Sequence, residues 1–175
     1  EFETPNGESQ KDYLKGLARK GWTEFLADKI TDEEEKKIYG DRFRQEFEVI
    51  EGAKLFGYFL IVRDIIKYAT GQGWMVGPGR GSAAGCLISY LVGITQIDPI
   101  KYDLLFERFY NAGRNSEDHV SLPDIDMDVP GGKRDEIILY LKNKYGSKNV
   151  SQMITFGRLQ GRSALKEVLR VNNAC

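Results

Sequence analysis

The feature that most constrains this chain is the stretch Leu122-Pro123-Asp124-Ile125-Asp126-Met127-Asp128-Val129, in which carboxylates alternate with aliphatic side chains. Alternate residues of an extended strand point to opposite faces. The pattern therefore predicts a strand with Asp124, Asp126 and Asp128 on one face and Ile125, Met127 and Val129 turned into a core. Two ionised carboxylates about 5 Å apart repel by roughly 3 kcal/mol at an effective dielectric of about 20. Such a row beside a buried sheet calls for a cation, and paired divalent ions about 3.5–4 Å apart, clamping a phosphoryl group, suit it. A solvated edge strand, whose charges deter edge-to-edge pairing, is the competing reading. An EF-hand calcium loop is excluded, because Val129 stands where that loop needs Gly and Asp135 where it needs Glu.

Composition narrows the choice of cation. One His and two distant cysteines put zinc out of reach, which leaves hard, oxygen-liganded ions such as magnesium or manganese. Cys86 lies in an apolar run far from Cys175, so no disulfide framework is expected and a reducing cytoplasm is the expected compartment. The 25 Lys and Arg nearly balance the 26 Asp and Glu, so any nucleic-acid contact must come from a local patch.

A second motif is glycine-rich: Gly77-Pro78-Gly79-Arg80-Gly81-Ser82-Ala83-Ala84-Gly85, placed between a short apolar strand over 74–76 and an apolar helix from Cys86 to Val92 that Gly93 ends. A strand, a glycine turn and a helix N-terminus in series make an anion site, with Ser82 as N-cap or phosphate contact. The Gly-Lys-Ser/Thr ending of a P-loop is missing. A tight turn with close helix packing at Ala83, Ala84 and Gly85 is the structural alternative.

Before this motif the chain reads as helices. Tyr13, Leu14, Leu17 and Ala18 share a face that Gly21 stops, and Thr31 with Glu34 makes a capping-box start. A longer pattern runs through Phe43, Phe47 and Ile50, breaks at Gly52 and Gly57, and resumes from Phe59 to Ala69. Its charged faces read as solvated. Asp98-Pro99 predicts a helix start, with Tyr102, Leu105, Phe106 and Phe109 inward. Residues 111–119 read as a polar loop in which His119 is exposed. A helix over 134–145 stops at Gly146, and 150–156 is a second strand candidate. Arg158, Arg162, Lys166 and Arg170 then follow at intervals of four, a basic stripe on one helix face suited to phosphate contact.

In order, the blocks at 57–62 (Gly-Tyr-Phe-Leu-Ile-Val), 77–82, 97–99 (Ile-Asp-Pro), 102–109 (Tyr-Asp-Leu-Leu-Phe-Glu-Arg-Phe), 123–128 and 154–157 (Ile-Thr-Phe-Gly) resemble the palm of the family C replicative DNA polymerases, the alpha subunits of bacterial DNA polymerase III. The resemblance covers nearly the whole chain. It implies an α/β (α+β) fold: a polymerase beta-like nucleotidyltransferase palm, a small mixed sheet flanked by several helices. Residues 1–156 would be the N-terminal part of the palm and 157–175 the start of a truncated thumb.

The same resemblance implies site roles. Asp124 and Asp126 match the catalytic, metal-binding aspartates, Gly81 and Ser82 the pair that holds the incoming triphosphate, and Arg80 and Arg108 basic residues of the nucleotide pocket. Arg162, Lys166 and Arg170 match thumb contacts to primer-template DNA, and Asp128 has no catalytic counterpart. The implied function is template-directed addition of dNMP to a primer 3′-OH with release of pyrophosphate. Two Mg2+ ions, replaceable by Mn2+, serve the complete enzyme, which binds a sliding clamp and other replisome subunits. The sequence departs from the family pattern in an apparent insertion over 115–119 and in a basic Arg158. The family's third carboxylate comes from a later strand beyond the thumb, so the chain alone is expected to be inactive. Two other readings remain open: a related nucleotidyltransferase acting elsewhere, and a non-catalytic helical scaffold.

Overall fold

The computed structural model describes residues 2–111, 122–158 and 160–173. It separates into two compact units, Glu1–Leu139 and Tyr140–Cys175. Among the described residues there are helices, short 3-10 turns and irregular segments, and no β-strand. The expected mixed sheet is therefore not the architecture of this chain. The physical reason is a lack of pairing partners. Residues 74–80 carry Pro78 and a run of glycines, which suit a turn and not a ladder. The expected strand over 150–156 lies open to solvent, with Met153 93%, Ile154 78% and Phe156 90% exposed.

The first unit is built on three longer helices, α1 (Gln10–Phe25), α2 (Glu33–Gly52) and α3 (Phe56–Gly71), around a short buried α4 (Leu87–Leu91). Both α1 and α2 pack on α4, and α1 also packs on α3. Leu14, Ile50, Phe59, Leu60, Leu87 and Ile88 are at most 1% exposed and form the centre of one core. Edge-on rings tie its rim, Trp22 to Tyr39 at 5.7 Å and Phe59 to Phe109 at 6.0 Å between centroids.

Gly21 does not stop α1, which runs on to Phe25. It is instead the point of closest approach to α4: a methyl group there would sit 1.7 Å from the Leu91 carbonyl oxygen. The start of α2 is capped by Asp32, whose side chain accepts from the Glu35 amide at 3.0 Å, one residue past the expected Thr31. The break after α2 falls at Gly52 as expected, but Gly57 is no break: it lies in the first turn of α3.

The charged face of α2 is not all solvated. Glu46 is fully buried. Its carboxylate accepts from the amides of Leu87 and Ile88, both at 3.0 Å, from the Cys86 thiol at 3.4 Å, and from Arg42 Nε at 2.7 Å. Arg42 in turn donates through Nη2 to the carbonyls of Gly85 (2.8 Å) and Leu104 (2.9 Å). Burial pushes the Glu46 carboxyl up, while the two amides and Arg42 oppose it. Since all four of these neighbours are donors, the carboxylate is the form this pocket is built around. Burial, with Glu46 beside it, raises the Cys86 thiol well above its usual range and keeps it protonated.

Asp98 does not open a helix. Its carboxylate accepts from the amides of Ile100 (3.0 Å) and Lys101 (3.3 Å) and from the buried Tyr39 hydroxyl (2.7 Å). The turn it caps closes with Leu104 N–H to the Pro99 carbonyl and ends at Asp103, where φ is 51°. Only the 3-10 turn Phe106–Arg108 follows, so Phe106 and Phe109 are buried while Tyr102 and Leu105 are exposed. The loop expected over 111–119, with His119, lies outside the described residues beyond Asn111. The helix expected over 134–145 forms as α5 (Arg134–Tyr145), with Ile137 buried and Gly146 at φ 90° after it. In the second unit, α6 (Gly161–Val171) carries Arg162, Lys166 and Arg170 of the expected basic stripe, while Arg158 precedes the helix in an irregular segment.

Three outcomes test this packing. Gly21→Ala should lower the free energy of urea unfolding by about 3 kcal/mol, whereas Gly16→Ala, with open space around it, should be neutral or stabilising. Glu46→Ala should cost about 3–5 kcal/mol, because it strands Arg42 and two amides in the core. The phenols of Tyr39, Tyr58 and Tyr90 and the Cys86 thiol are all raised by burial. A raised folded-state value contributes stability that is complete below the unfolded value and disappears above it. From neutrality upward, unfolding free energy should therefore hold to about pH 8, then fall through about pH 10 as the denatured thiol and phenols ionise. Tyr39→Phe should lessen that alkaline slope.

Candidate nucleotide and metal site

The aspartate segment keeps the alternation its sequence promised without being a strand. Pro123 and Ile125 are buried and Met127 is partly buried against the core, while Leu122, Asp124 and Asp128 are exposed and Asp126 is half-exposed. Two bonds hold it to the helical core. The Tyr58 hydroxyl of α3 donates to the Pro123 carbonyl at 2.8 Å, and the Gly77 amide donates to the Asp128 carbonyl at 3.0 Å. Burial raises the Tyr58 phenol, the Ile125 backbone opposes that, and the charges of Asp124 and Asp126 add to it. The aspartates thus sit close enough to Tyr58 for their field to be felt.

The glycine motif folds as an irregular turn from Gly77 to Arg80 followed by the 3-10 turn Gly81–Gly85. Gly81 has φ 65°, a left-handed value, and a methyl group there would come within 3.1 Å of Asp126 Oδ2. Ser82 is not the N-cap of α4. That role falls to Cys86, whose sulfur accepts from the Ser89 amide at 3.4 Å. The α4 amides of Leu87 and Ile88, which the sequence offered to an external anion, are taken by Glu46. What remains for a ligand is the opening of the 3-10 turn, whose first amides have no partner within the turn itself.

Side chains converge on that opening. Arg80 lies between two carboxylates, Nε 3.1 Å from Asp128 Oδ1 and Nη2 3.6 Å from Asp126 Oδ1. Arg80 and Asp128 are exposed and Asp126 half-exposed, so these pairs orient Arg80 and contribute little stability. Ser82, Arg108 and Asp124 line one cavity of about 190 Å³. Gly81, Ser82, Asp103 and Arg108 line another of about 180 Å³. The structure thereby brings Arg80, Gly81, Ser82, Arg108, Asp124 and Asp126 into one neighbourhood, although they are separated in sequence. Among the described residues no three His, Cys, Asp or Glu side chains gather as a metal-binding group.

Arg162, Lys166 and Arg170 are exposed on α6, in the second unit, with Arg170 Nη2 2.8 Å from Glu167 Oε2. Sequence reasoning missed Tyr58, Arg42 and Glu46. An Arg42–Glu46 pair at i,i+4 on a charged helix reads like the exposed Lys20–Glu24 pair, and only the core around it sets it apart.

Comparison with known proteins bears on what this neighbourhood belongs to. The family model described as the bacterial DNA polymerase III alpha NTPase domain matches residues 12–174. DNA polymerase III subunit alpha of Staphylococcus epidermidis is 45% identical over 171 residues, 98% of this chain and 15% of the relative. The Bacillus subtilis protein of that name is 46% identical over 170 residues, 97% of this chain and 14% of the relative. That of Halalkalibacterium halodurans is 44% identical over 167 residues, again 14% of its length. The chain thus spans about 15% of the length of the relatives it matches. The chain belongs to the bacterial DNA polymerase III alpha NTPase domain family.

Proposed function

We propose that this chain is part of a replicative DNA-directed DNA polymerase and contributes its nucleotide-binding turn and two of its catalytic carboxylates. The observation that carries the reading is the approach of Asp126 to the Gly81 turn, with Arg80 bridging Asp126 and Asp128 and with Asp124 sharing a cavity with Ser82 and Arg108. In this reading residues 1–156 are the helical N-terminal part of a palm and 157–175 open a thumb. Arg162, Lys166 and Arg170 contact the backbone of the primer-template duplex. The whole protein would also meet a sliding clamp and other replisome subunits.

Asp124 and Asp126 suit a hard divalent ion, Mg2+ or Mn2+, in chemistry and exposure, and the space a methyl at Gly81 would fill is left open beside Asp126. Two carboxylates make a partial site, consistent with a further ligand from the rest of the enzyme. Bound there, divalent ions would supply charge stabilisation for the attacking and leaving oxygens of an in-line displacement.

The chain's own groups do the positioning. Gly81 leaves room for a phosphate against the backbone, and the Ser82 hydroxyl can donate to its oxygens. Arg80 can exchange its carboxylate partners for the triphosphate, which would free Asp126 for a divalent ion and leave the exposed Asp128 to solvent. Arg108 supplies a positive charge to the cavity it shares with Ser82 and Asp124. Tyr58 anchors the Pro123 carbonyl and with it the register of both aspartates.

Manganese titration followed by water-proton relaxation tests the carboxylate assignment. The wild-type chain should show a saturable enhancement that Asp124→Asn/Asp126→Asn lowers by about tenfold or more in affinity. Identical titrations of the two proteins would remove the metal site. The isolated chain should give no primer extension with dNTP and Mg2+, and robust extension would overturn the division of the catalytic carboxylates between this chain and the rest of the enzyme.

A further inference from the structure

A second cavity of about 380 Å³ opens between α1, α3 and the chain after α4; it meets the site described above at Gly77 and includes none of Arg80, Gly81, Ser82, Arg108, Asp124 or Asp126. Its ionisable lining is Lys20 from α1, Arg63 and Lys67 from α3, and a single carboxylate, Glu24. Lys20 Nζ is 3.7 Å from Glu24 Oε1, a loose exposed pair. Arg63 is half-buried and fixed, its Nε donating to the Val92 carbonyl at 2.9 Å, which leaves the guanidinium preset at the cavity wall. Asp64, next to it in sequence, acts on Arg63 electrostatically without lining the cavity.

The three cations repel one another. Lys67 is held below the usual lysine range first by Arg63, then by burial and by Lys20, with Glu24 opposing. Like charges held around a concave opening cost free energy that a multiply charged anion would recover. The floor is not acidic: Leu91, Val92, Gly93 and Ile94 present backbone and apolar surface. A space of this size exceeds a single small anion and suits phosphates in series. Nothing in the polymerase reading uses Lys20, Arg63 or Lys67.

We propose that the cavity between α1 and α3 binds a phosphoryl anion through Lys20, Arg63 and Lys67, independently of the Gly81 turn. The anion is either a free polyphosphate or the phosphates of a nucleic-acid strand. Both present the same oxygens to the same cations, and the experiment separates them.

Calorimetric titration in low salt with a chelator present, so that no divalent ion contributes, uses pyrophosphate in one arm and a short oligothymidylate in the other. Wild type should bind at least one probe saturably. Lys20→Gln/Lys67→Gln, both exposed positions, should weaken that binding by about tenfold or more. Lys29→Gln/Lys37→Gln removes the same charge from exposed positions outside the cavity and should leave binding within about twofold. Arg80→Gln should retain the lysine-dependent binding, which keeps the result separate from the Gly81 site. Loss confined to pyrophosphate identifies the free anion, and loss confined to oligothymidylate identifies the strand. Absence of saturable binding by wild type, or equal losses in the two lysine variants, overturns the proposal.

Discussion

The structure depends on one buried carboxylate. Glu46 projects from α2 into the core and ties together segments distant in sequence: the Leu87 and Ile88 amides at the start of α4, the Cys86 thiol and, through Arg42, the carbonyls of Gly85 and Leu104. Desolvating such a charge is costly, and the four donors around it offset that cost only if all remain in place. The Gly81–Gly85 turn is thereby anchored at its far end, where Arg42 holds the Gly85 carbonyl. The near end, Gly81 and Ser82, lies outside that network.

This arrangement changes the physical account of the glycine motif. A helix N-terminus after a glycine turn usually offers its amides and dipole to an external anion. Here the protein supplies that anion itself, and α4, only 5 residues long, is a structural pin in the core. In the proposed reading the ligand-facing role passes to the turn one step earlier, where Arg80, Ser82 and Arg108 would supply donors and Asp124 and Asp126 acceptors. Opposite charges kept side by side at low net cost would suit the magnesium-polyphosphate ligand of that proposal.

Positioning the aspartates without a sheet calls for other means. The Pro123 and Ile125 side chains sink into the helical core, Tyr58 and Gly77 each hold one backbone carbonyl, and the carboxylates face outward as a result. The alternation in the sequence was legible because burial imposes a period of two on any extended segment whose one side packs on a core. It was misread as a ladder because side-chain periodicity carries no information about whether backbone partners exist. The same limit applies at 150–156, where an apolar pattern belongs to an exposed segment.

What the sequence determined by itself are the features set by local chemistry. These are the end of α2 at Gly52 and the span of α5, which follow apolar spacing and glycine stops; the exposed carboxylate face; three of the four cations of the basic stripe, on α6; and the family, carried by ordered motifs. Tertiary structure alone decided that Gly21 is a contact and not a stop, that Glu46 is buried while Glu24 lies beside Lys20 on the surface, and that Asp98 joins Tyr39 instead of starting a helix. Each of these depends on a neighbour remote in sequence, and a residue's type and local spacing do not specify which remote groups will be packed against it.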